Sequence, residues 1–286
     1  MVAAVVFFRQ AALSGAAPRA FSTLPSIMQK HAHPDHNAIA NLKLLAKRPT
    51  GMGESQILTF STDGHDFADL TVPSGVKLVI DGKVKSYSPV NLPSNGVSTN
   101  TMDLLVKPYE PGPVGGGGFG AFLCSLNVGS TAPLIIKPNR VVHGSTDVPG
   151  RWKYANLLGG GTGIAPLIQI ARAQLAAGGY VRMLSVNRGD DILMKEELDE
   201  MTREHGEKFM VRYLDTEKEG RGDAGLARSA FHLDGDDFQV FVCGTDGFVD
   251  HWCGGIVRDE NNKKVQGSVR GILGEIGVKP ESVYKF

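Results

Sequence analysis

Short apolar stretches divided by turn residues fill the first half of the chain, and longer strand-like and helix-like periods alternate through the second. Within residues 41–136 the apolar pattern predicts strands at 42–46, 56–61, 76–80, 83–87, 102–107 and 134–136. Pro49-Thr50-Gly51, Pro73-Ser74-Gly75 and Asp81-Gly82 punctuate them. Several short strands at this spacing predict a closed antiparallel β-barrel, with a small helix at 121–126. From Tyr154 onward the pattern predicts strands at 181–186, 209–214, 238–243 and 282–284, and helices at 167–175, 194–205 and 265–276. That alternation is the signature of a parallel α/β sheet, which takes ligands at the carboxyl ends of its strands. The turn at Pro149-Gly150 marks the boundary. The expected organisation is a leader and linker at 1–36, a barrel domain at 37–150 and an α/β domain at 151–286.

One stretch of the second half stands out. Leu157-Leu158 runs into Gly159, Gly160, Gly161, Thr162 and Gly163, and Pro166 then opens a helix-like segment. A strand, a glycine turn and a helix start present backbone N–H groups to a phosphate. Proline suits the first helical turn, where its missing donor costs nothing. The dinucleotide fingerprint G-x-G-x-x-G nevertheless fails in both registers, because Ile164 or Pro166 stands at the third glycine. Asn187-Arg188 also stands where that fingerprint expects an acid.

Composition narrows the class. Hydrophobic residues make up 42% of the 286, charged residues 21%, and the formal net charge is zero, which argues against a nucleic-acid surface. No apolar run is long enough to span a bilayer as a helix. Three scattered cysteines, Cys124, Cys243 and Cys253, make neither a disulfide framework nor a zinc or iron–sulfur set. The first thirty residues carry Arg9 and Arg19, with no acid before Asp35. That composition predicts a mitochondrial import segment, with cleavage near Phe21-Ser22. His31, His33 and His36 read as a solvated linker, since Pro34 breaks helical pairing; a metal site is the alternative.

The turn from Gly159 to Pro166 resembles the G-G-T-G-I-T-P turn of the ferredoxin-reductase superfamily, and is most similar there to the NADH–cytochrome b5 reductase family. The resemblance covers residues 40–286. It implies an antiparallel FAD-binding barrel followed by an NAD-binding α/β domain. Lys85-Ser-Tyr-Ser-Pro89 resembles the family's R-x-Y-[S/T]-P flavin motif, which implies Tyr87 against the isoalloxazine and Ser88 near flavin N5. The segment Asp103 to Tyr109 implies Val106 and Tyr109 beside FAD and Lys107 near the nicotinamide. Gly116, Gly117, Gly118, Phe119 and Gly120 stand where the family has a phosphate turn. Gly160, Gly161, Thr162, Gly163, Ala165 and Pro166 are implied to lie between nicotinamide and flavin. Cys243-Gly244-Thr-Asp-Gly247 replaces C-G-P-P, and Asp215 falls at the NADH-selecting position.

What the resemblance implies is hydride transfer from NADH to FAD, then single-electron transfer to a haem protein such as cytochrome b5. Ser88, Cys243 and Lys107 are the residues nearest the chemistry. A buried packing role is the plainer reading of Cys243. Arg188 keeps NADPH open as the coenzyme. Lys83, Lys85 and Lys107 are candidates for docking an acidic acceptor, and the run Asp190–Glu200 reads as a solvated helix face. The expected state is a monomer without a spanning helix. Three departures from the family pattern, Lys85 for arginine, Gly120 for serine and Ala165 for threonine, predict weak FAD retention. Another acceptor, or an interaction protein that keeps only the fold, are the alternatives.

Overall fold

The computed structural model describes residues 39–63, 72–91, 100–109, 118–137, 140–146, 148–262 and 264–286. The import segment, the histidines at 31, 33 and 36, and Gly116 and Gly117 lie outside the described residues. All described residues belong to one compact unit, Pro34–Phe286.

The first lobe is a six-stranded antiparallel sheet built from β1 (Ile39–Pro49), β2 (Gln56–Ser61), β3 (Val76–Ile80), β4 (Lys83–Tyr87), β5 (Thr101–Val106) and β6 (Thr131–Ile136). Its order is β4-β3-β6-β1-β2-β5. Strand β1 pairs with β6 through residues 39–43 and with β2 through 44–49. The register shifts between Leu44 and Ala46, a bulge that lets one strand turn the corner of a barrel. Closure is made beyond β4, where Pro89 bridges Leu104 and the Val90 N–H donates to the Asp103 carbonyl at 2.8 Å. Helix α1 (Phe119–Ser125) packs beside β5. Alternation decides the two faces: Leu58, Phe60, Met102, Leu104 and Val106 fill the barrel. Ile57 and Leu105 face outward, toward the second lobe.

The second lobe is a fully parallel sheet of β7 (Tyr154–Gly160), β8 (Tyr180–Asn187), β9 (Phe209–Asp215), β10 (Phe238–Cys243) and β13 (Val283–Lys285), in the order β13-β10-β7-β8-β9. Helices α2 (Ile164–Ala176) and α3 (Lys195–His205) follow β7 and β8. Helices α4 (Ala224–Ala230), α5 (Asp246–Cys253) and α6 (Gly271–Glu275) complete the layers, and β11 (Val257–Arg258) pairs with β12 (Lys264–Val265) as a small hairpin. The two-domain fold class read from the pattern is the one observed.

Some elements differ from expectation. The helix expected over 265–276 is reduced to Gly271–Glu275. Gly267 and Gly271 take φ of +65° and +54°, so the chain leaves helical geometry before it can propagate. Helices α4 and α5 are additional. Asp223 caps α4 by accepting from the Leu226 N–H at 2.8 Å, a local signal the apolar pattern alone does not carry. Helix α3 is solvated on one face only, because Leu198 and Met201 are buried.

Helix α2 is buried on every side, including Gln169 and Gln174. A helix apolar all round has to lie between two layers. Here those layers are the parallel sheet and the outer face of β2 and β5, so Leu167, Ile168, Ile57 and Leu105 share one core. Each such fully buried side chain stabilises by about 1.5–3 kcal/mol, so the lobes are not independent bodies.

Candidate functional site

The glycine turn leaves β7 at Gly160, makes a 3-10 turn over Gly161–Gly163, and enters α2 at Ile164. A Cβ on Gly163 would come within 2.3 Å of the Cys243 carbonyl oxygen. A Cβ on Gly160 would meet the Phe248 ring at 2.8 Å, and one on Gly244 would meet the same ring at 2.4 Å. Gly161 has φ of +53° and open space beyond it. The glycines therefore bring β7, β10 and α5 together first. Only Gly161 and the half-buried Thr162 face outward. Ala165 and Pro166, expected to face the flavin, are both buried, Ala165 within the core shared by the lobes.

Polar groups on α2 fix the barrel in place. The buried Gln169 side chain accepts from the Ser74 N–H at 2.9 Å and donates to the Pro89 carbonyl at 2.5 Å. Arg172 donates to the Val90 carbonyl. Gln174 accepts from the Gly150 N–H at 3.0 Å and donates to the Trp152 carbonyl at 2.7 Å, tying down the connection between lobes. Because a buried polar group must be paired, these bonds set the position of the Tyr87-Ser88-Pro89-Val90 segment relative to the glycine turn.

On the barrel side, Tyr87 and Ser88 are half-buried and Lys85 is exposed. Burial, with a smaller contribution from Cys124, pushes the Tyr87 hydroxyl up to about 12, so it stays protonated. The Ser88 hydroxyl has no hydrogen-bond partner among the described residues. Val106 is fully buried with its side chain inside the barrel, leaving only its backbone for a ligand. Tyr109 is exposed, and the Lys107 ammonium lies 6.0 Å from its ring centre. Lys107 also forms an ion pair with Asp191 at 3.4 Å, so it is tied to the loop before α3. Asp191 further accepts from the N–H groups of Met52 and Gly53, both at 3.0 Å. Asp191 is therefore a clasp between lobes and not part of a solvated helix face.

Gly118 enters α1 with φ of +79°, and no side chain caps this helix. Phe119 is half-buried. A Cβ on Gly120 would lie 2.1 Å from the Lys107 carbonyl oxygen. A serine is sterically excluded there, so the departure at Gly120 is a packing requirement of this chain.

Cys243 ends β10 opposite Gly159. Its thiol is pushed up to about 12 by burial, against an opposing pull from Arg140, and is therefore neutral at physiological pH. Beside it the C-terminal Phe286 bonds back to β10, its N–H donating to the Val242 carbonyl at 3.0 Å. The Arg140 guanidinium covers the Phe286 ring at 4.8 Å. Across the sheet, Asn187 and Asp215 are paired at the ends of β8 and β9. Asp215 accepts from the N–H groups of Gly189 at 2.8 Å and Glu217 at 2.9 Å, and pairs with Lys218 at 3.2 Å.

Gln169, Arg172, Asp191, Phe248 and Arg140 have no part in the sequence motifs. Only the placement of a glutamine among the apolar positions of α2 carried any advance signal, and it reads equally well as a surface residue.

The flavin ring system fits the residues present. Ser88 offers an unpartnered, half-buried hydroxyl, Tyr87 a half-buried ring, and Lys85 an exposed cation for a pyrophosphate. The phosphate turn ahead of Gly118 lies outside the described residues. Among the described residues no group of three His, Cys, Asp or Glu side chains is placed to hold a metal, and no helix is long and apolar enough to cross a membrane.

Comparison with known proteins agrees with this geometry. A family profile described as "Oxidoreductase NAD-binding domain" matches residues 157–254. NADH-cytochrome b5 reductase 2-A of Vanderwaltozyma polyspora is 29% identical over 214 residues, covering 71% of this chain and 67% of that protein. NADH-cytochrome b5 reductase 2 of Saccharomyces cerevisiae is 28% identical over 239 residues, covering 77% and 70%. Among solved structures, the cytochrome b5 reductase domain of Ulva prolifera nitrate reductase superposes with a TM-score of 0.66 at 20% identity, covering 88% of this chain and 98% of that one, which shows the shared fold. A barrel closed at Pro89, joined by a buried helix to a parallel nucleotide-type sheet, and the sequence likeness along both lobes point the same way: the chain is similar to NADH–cytochrome b5 reductases and shares the two-lobed fold of a cytochrome b5 reductase domain.

Proposed function

We propose that this protein is an NADH-dependent, FAD-containing reductase that delivers electrons to a haem protein. One observation carries the reading. Helix α2 starts in the glycine turn and holds, through Gln169 and Arg172, the Pro89-Val90 end of the flavin motif. A cofactor bound along Tyr87-Ser88 and a coenzyme bound at the ends of β7 and β10 are thereby brought to one seam.

Bound FAD supplies the redox chemistry, taking a hydride from NADH and releasing electrons singly. The protein's part is positional. Ser88 offers a hydroxyl proton to the flavin edge, Tyr87 packs on the ring, and Lys85 balances the pyrophosphate charge. Cys243, as a neutral thiol, is a small soft wall at the end of β10 and not a nucleophile. The shared core of α2, β2 and β5 excludes water from the seam.

The acceptor proposed is a cytochrome b5. Lys83 is exposed on β4 without an ion-pair partner among the described residues and suits an acidic surface, whereas Lys85 is engaged with the pyrophosphate in this reading. Lys107, paired with Asp191, is less available for that role. A mitochondrial location is proposed from the basic, acid-poor composition of residues 1–30. The deciding experiment is the visible spectrum of the FAD-reconstituted protein, with NADH-driven reduction of cytochrome b5 measured beside ferricyanide. Flavin bands that bleach with NADH and a reduced haem are expected. A protein that FAD cannot reconstitute overturns the reading.

A further inference from the structure

Two segments of the barrel lobe converge on one carboxylate of the other lobe, that of Asp191. The turn between β1 and β2 is closed by the Thr50 N–H on the Ser55 carbonyl at 3.0 Å. Its Met52 and Gly53 N–H groups both donate to Asp191 Oδ1 at 3.0 Å. The fit leaves no room for side chains on the turn. A Cβ on Gly51 would lie 2.3 Å from Oδ1, and one on Gly53 would lie 2.8 Å from Oδ2. Successive N–H groups on one oxygen form an anion nest, and here the nest fixes a carboxylate of the chain itself. The buried Met194 N–H, donating to Thr50 Oγ1 at 2.9 Å, ties the same loop to the same turn a second time.

Oδ2 is left for Lys107, whose ammonium stands 3.4 Å away. The Lys107 backbone is already set, its carbonyl accepting from the Tyr109 N–H at 2.9 Å. Its side chain is a flexible stem, and ordering such a stem for a ligand is costly in entropy. With side chains 38% and 21% exposed, this ion pair is too solvated to hold the lobes together by itself. What it can do is direct the stem. An ammonium carries several donors, so one spent on Asp191 leaves others for a ligand entering the seam.

We propose that Asp191 is a positioning residue for Lys107: anchored in the Gly51–Gly53 nest, it aims that ammonium at the nicotinamide half of the coenzyme. The inference rests on the NADH reading above and deepens it. A lysine ordered in advance gives up less freedom when the coenzyme arrives, so the gain appears in affinity. Because the nest and Lys107 belong to one lobe and Asp191 to the other, the ammonium is aimed only while the lobes are seated together.

Asp191→Asn separates positioning from clasping. Its amide oxygen can still accept from Met52 and Gly53, while its amide nitrogen turns a donor toward Lys107 and drives the ammonium away. The test is calorimetric binding of NAD⁺ and 5′-ADP to the FAD-reconstituted full-length protein, since 5′-ADP lacks the nicotinamide half. Asp191→Asn is expected to weaken NAD⁺ by about fivefold, the size of one part-exposed ion pair, and 5′-ADP by less than about twofold. In a Lys107→Met background the same substitution is expected to change NAD⁺ binding by less than about twofold. Gly53→Ala keeps the charge but pushes Oδ2 aside. It should reproduce the selective loss, and it carries the test if the Asn variant does not fold. The inference is overturned if Asp191→Asn weakens both nucleotides alike, as loss of a simple clasp would. It is equally overturned if NAD⁺ binding is unchanged, or if the full loss persists in the Lys107→Met background. Should the wild-type protein bind neither nucleotide, the NADH reading itself falls. Wild-type binding of both, with any of the overturning results, removes only this inference.

Discussion

The Gln169 amide on α2 donates to the Pro89 carbonyl at 2.5 Å, across the seam between the parallel sheet and the barrel. The same side chain accepts from the Ser74 N–H, so a single buried group holds two segments of the flavin lobe. Gln169→Leu keeps the volume but leaves a buried N–H and a buried carbonyl without partners. The expected loss is at least about 2 kcal/mol in denaturant unfolding, with weaker FAD retention. Unchanged unfolding would mean that the apolar core alone fixes the lobes.

Lys85 and Gly120, two departures from the family pattern, make opposite predictions for flavin binding. Lys85→Arg restores a planar fork at an exposed site and is expected to tighten FAD by about tenfold, about 1.4 kcal/mol, read from the dissociation constant. Gly120→Ser is expected to do the opposite. Its Cβ would overlap the Lys107 carbonyl at 2.1 Å, so the protein should lose about 1–3 kcal/mol of stability and bind FAD no better. Tighter FAD in Gly120→Ser would show that α1 shifts freely.

The Phe248 ring stands between Gly160 and Gly244, at the carboxyl ends of β7 and β10. That is where a coenzyme approaches in a parallel sheet. Phe248→Ala opens the notch. Calorimetry with NADH should show tighter binding, while thermal unfolding shows a loss of up to about 3 kcal/mol for the half-buried ring. Weaker binding would make the ring a wall of the site and not an obstruction.

Cys243 gives a pH signature. Its folded pKa of about 12 lies above the ordinary thiol value of 9.0, so the contribution of the neutral thiol is fully present below pH 9 and is lost as pH rises toward 12. Cys253 behaves alike, also raised to about 12 by burial. The stability of Cys243→Ala should therefore fall less steeply than wild type between pH 9 and 12, and the two curves should run parallel from pH 6 to 8. Iodoacetamide should label Cys243 far more slowly than a small free thiol at pH 8, as followed by mass spectrometry. Rapid labelling would show an accessible thiolate.

Both lobes are legible in the chain because their signals are local. Turn residues every few positions mark the barrel strands, and the change to alternating strands and helices after Tyr154 marks the parallel sheet. The strands at 56–61, 76–80, 83–87 and 238–243 have the expected bounds. The 265–276 helix fails for a local reason the apolar pattern overrode, the glycines at 267 and 271. Helix α5 was obscured by Thr245-Asp246-Gly247, which reads as a turn and here opens the helix without a side-chain cap.

By itself the sequence determined the order of the lobes, the glycine turn and the residues of the flavin motif, since periodicity, turn chemistry and short motifs act over a few neighbouring positions. Only the tertiary structure decided what those residues do to one another. It set Gln169 against Pro89, Phe248 between two glycines, Asp191 on Lys107, and Asp215 into its own loop. Such pairings join residues far apart in sequence, and a buried polar group or a missing Cβ acquires its meaning only from the atom that packing places opposite it.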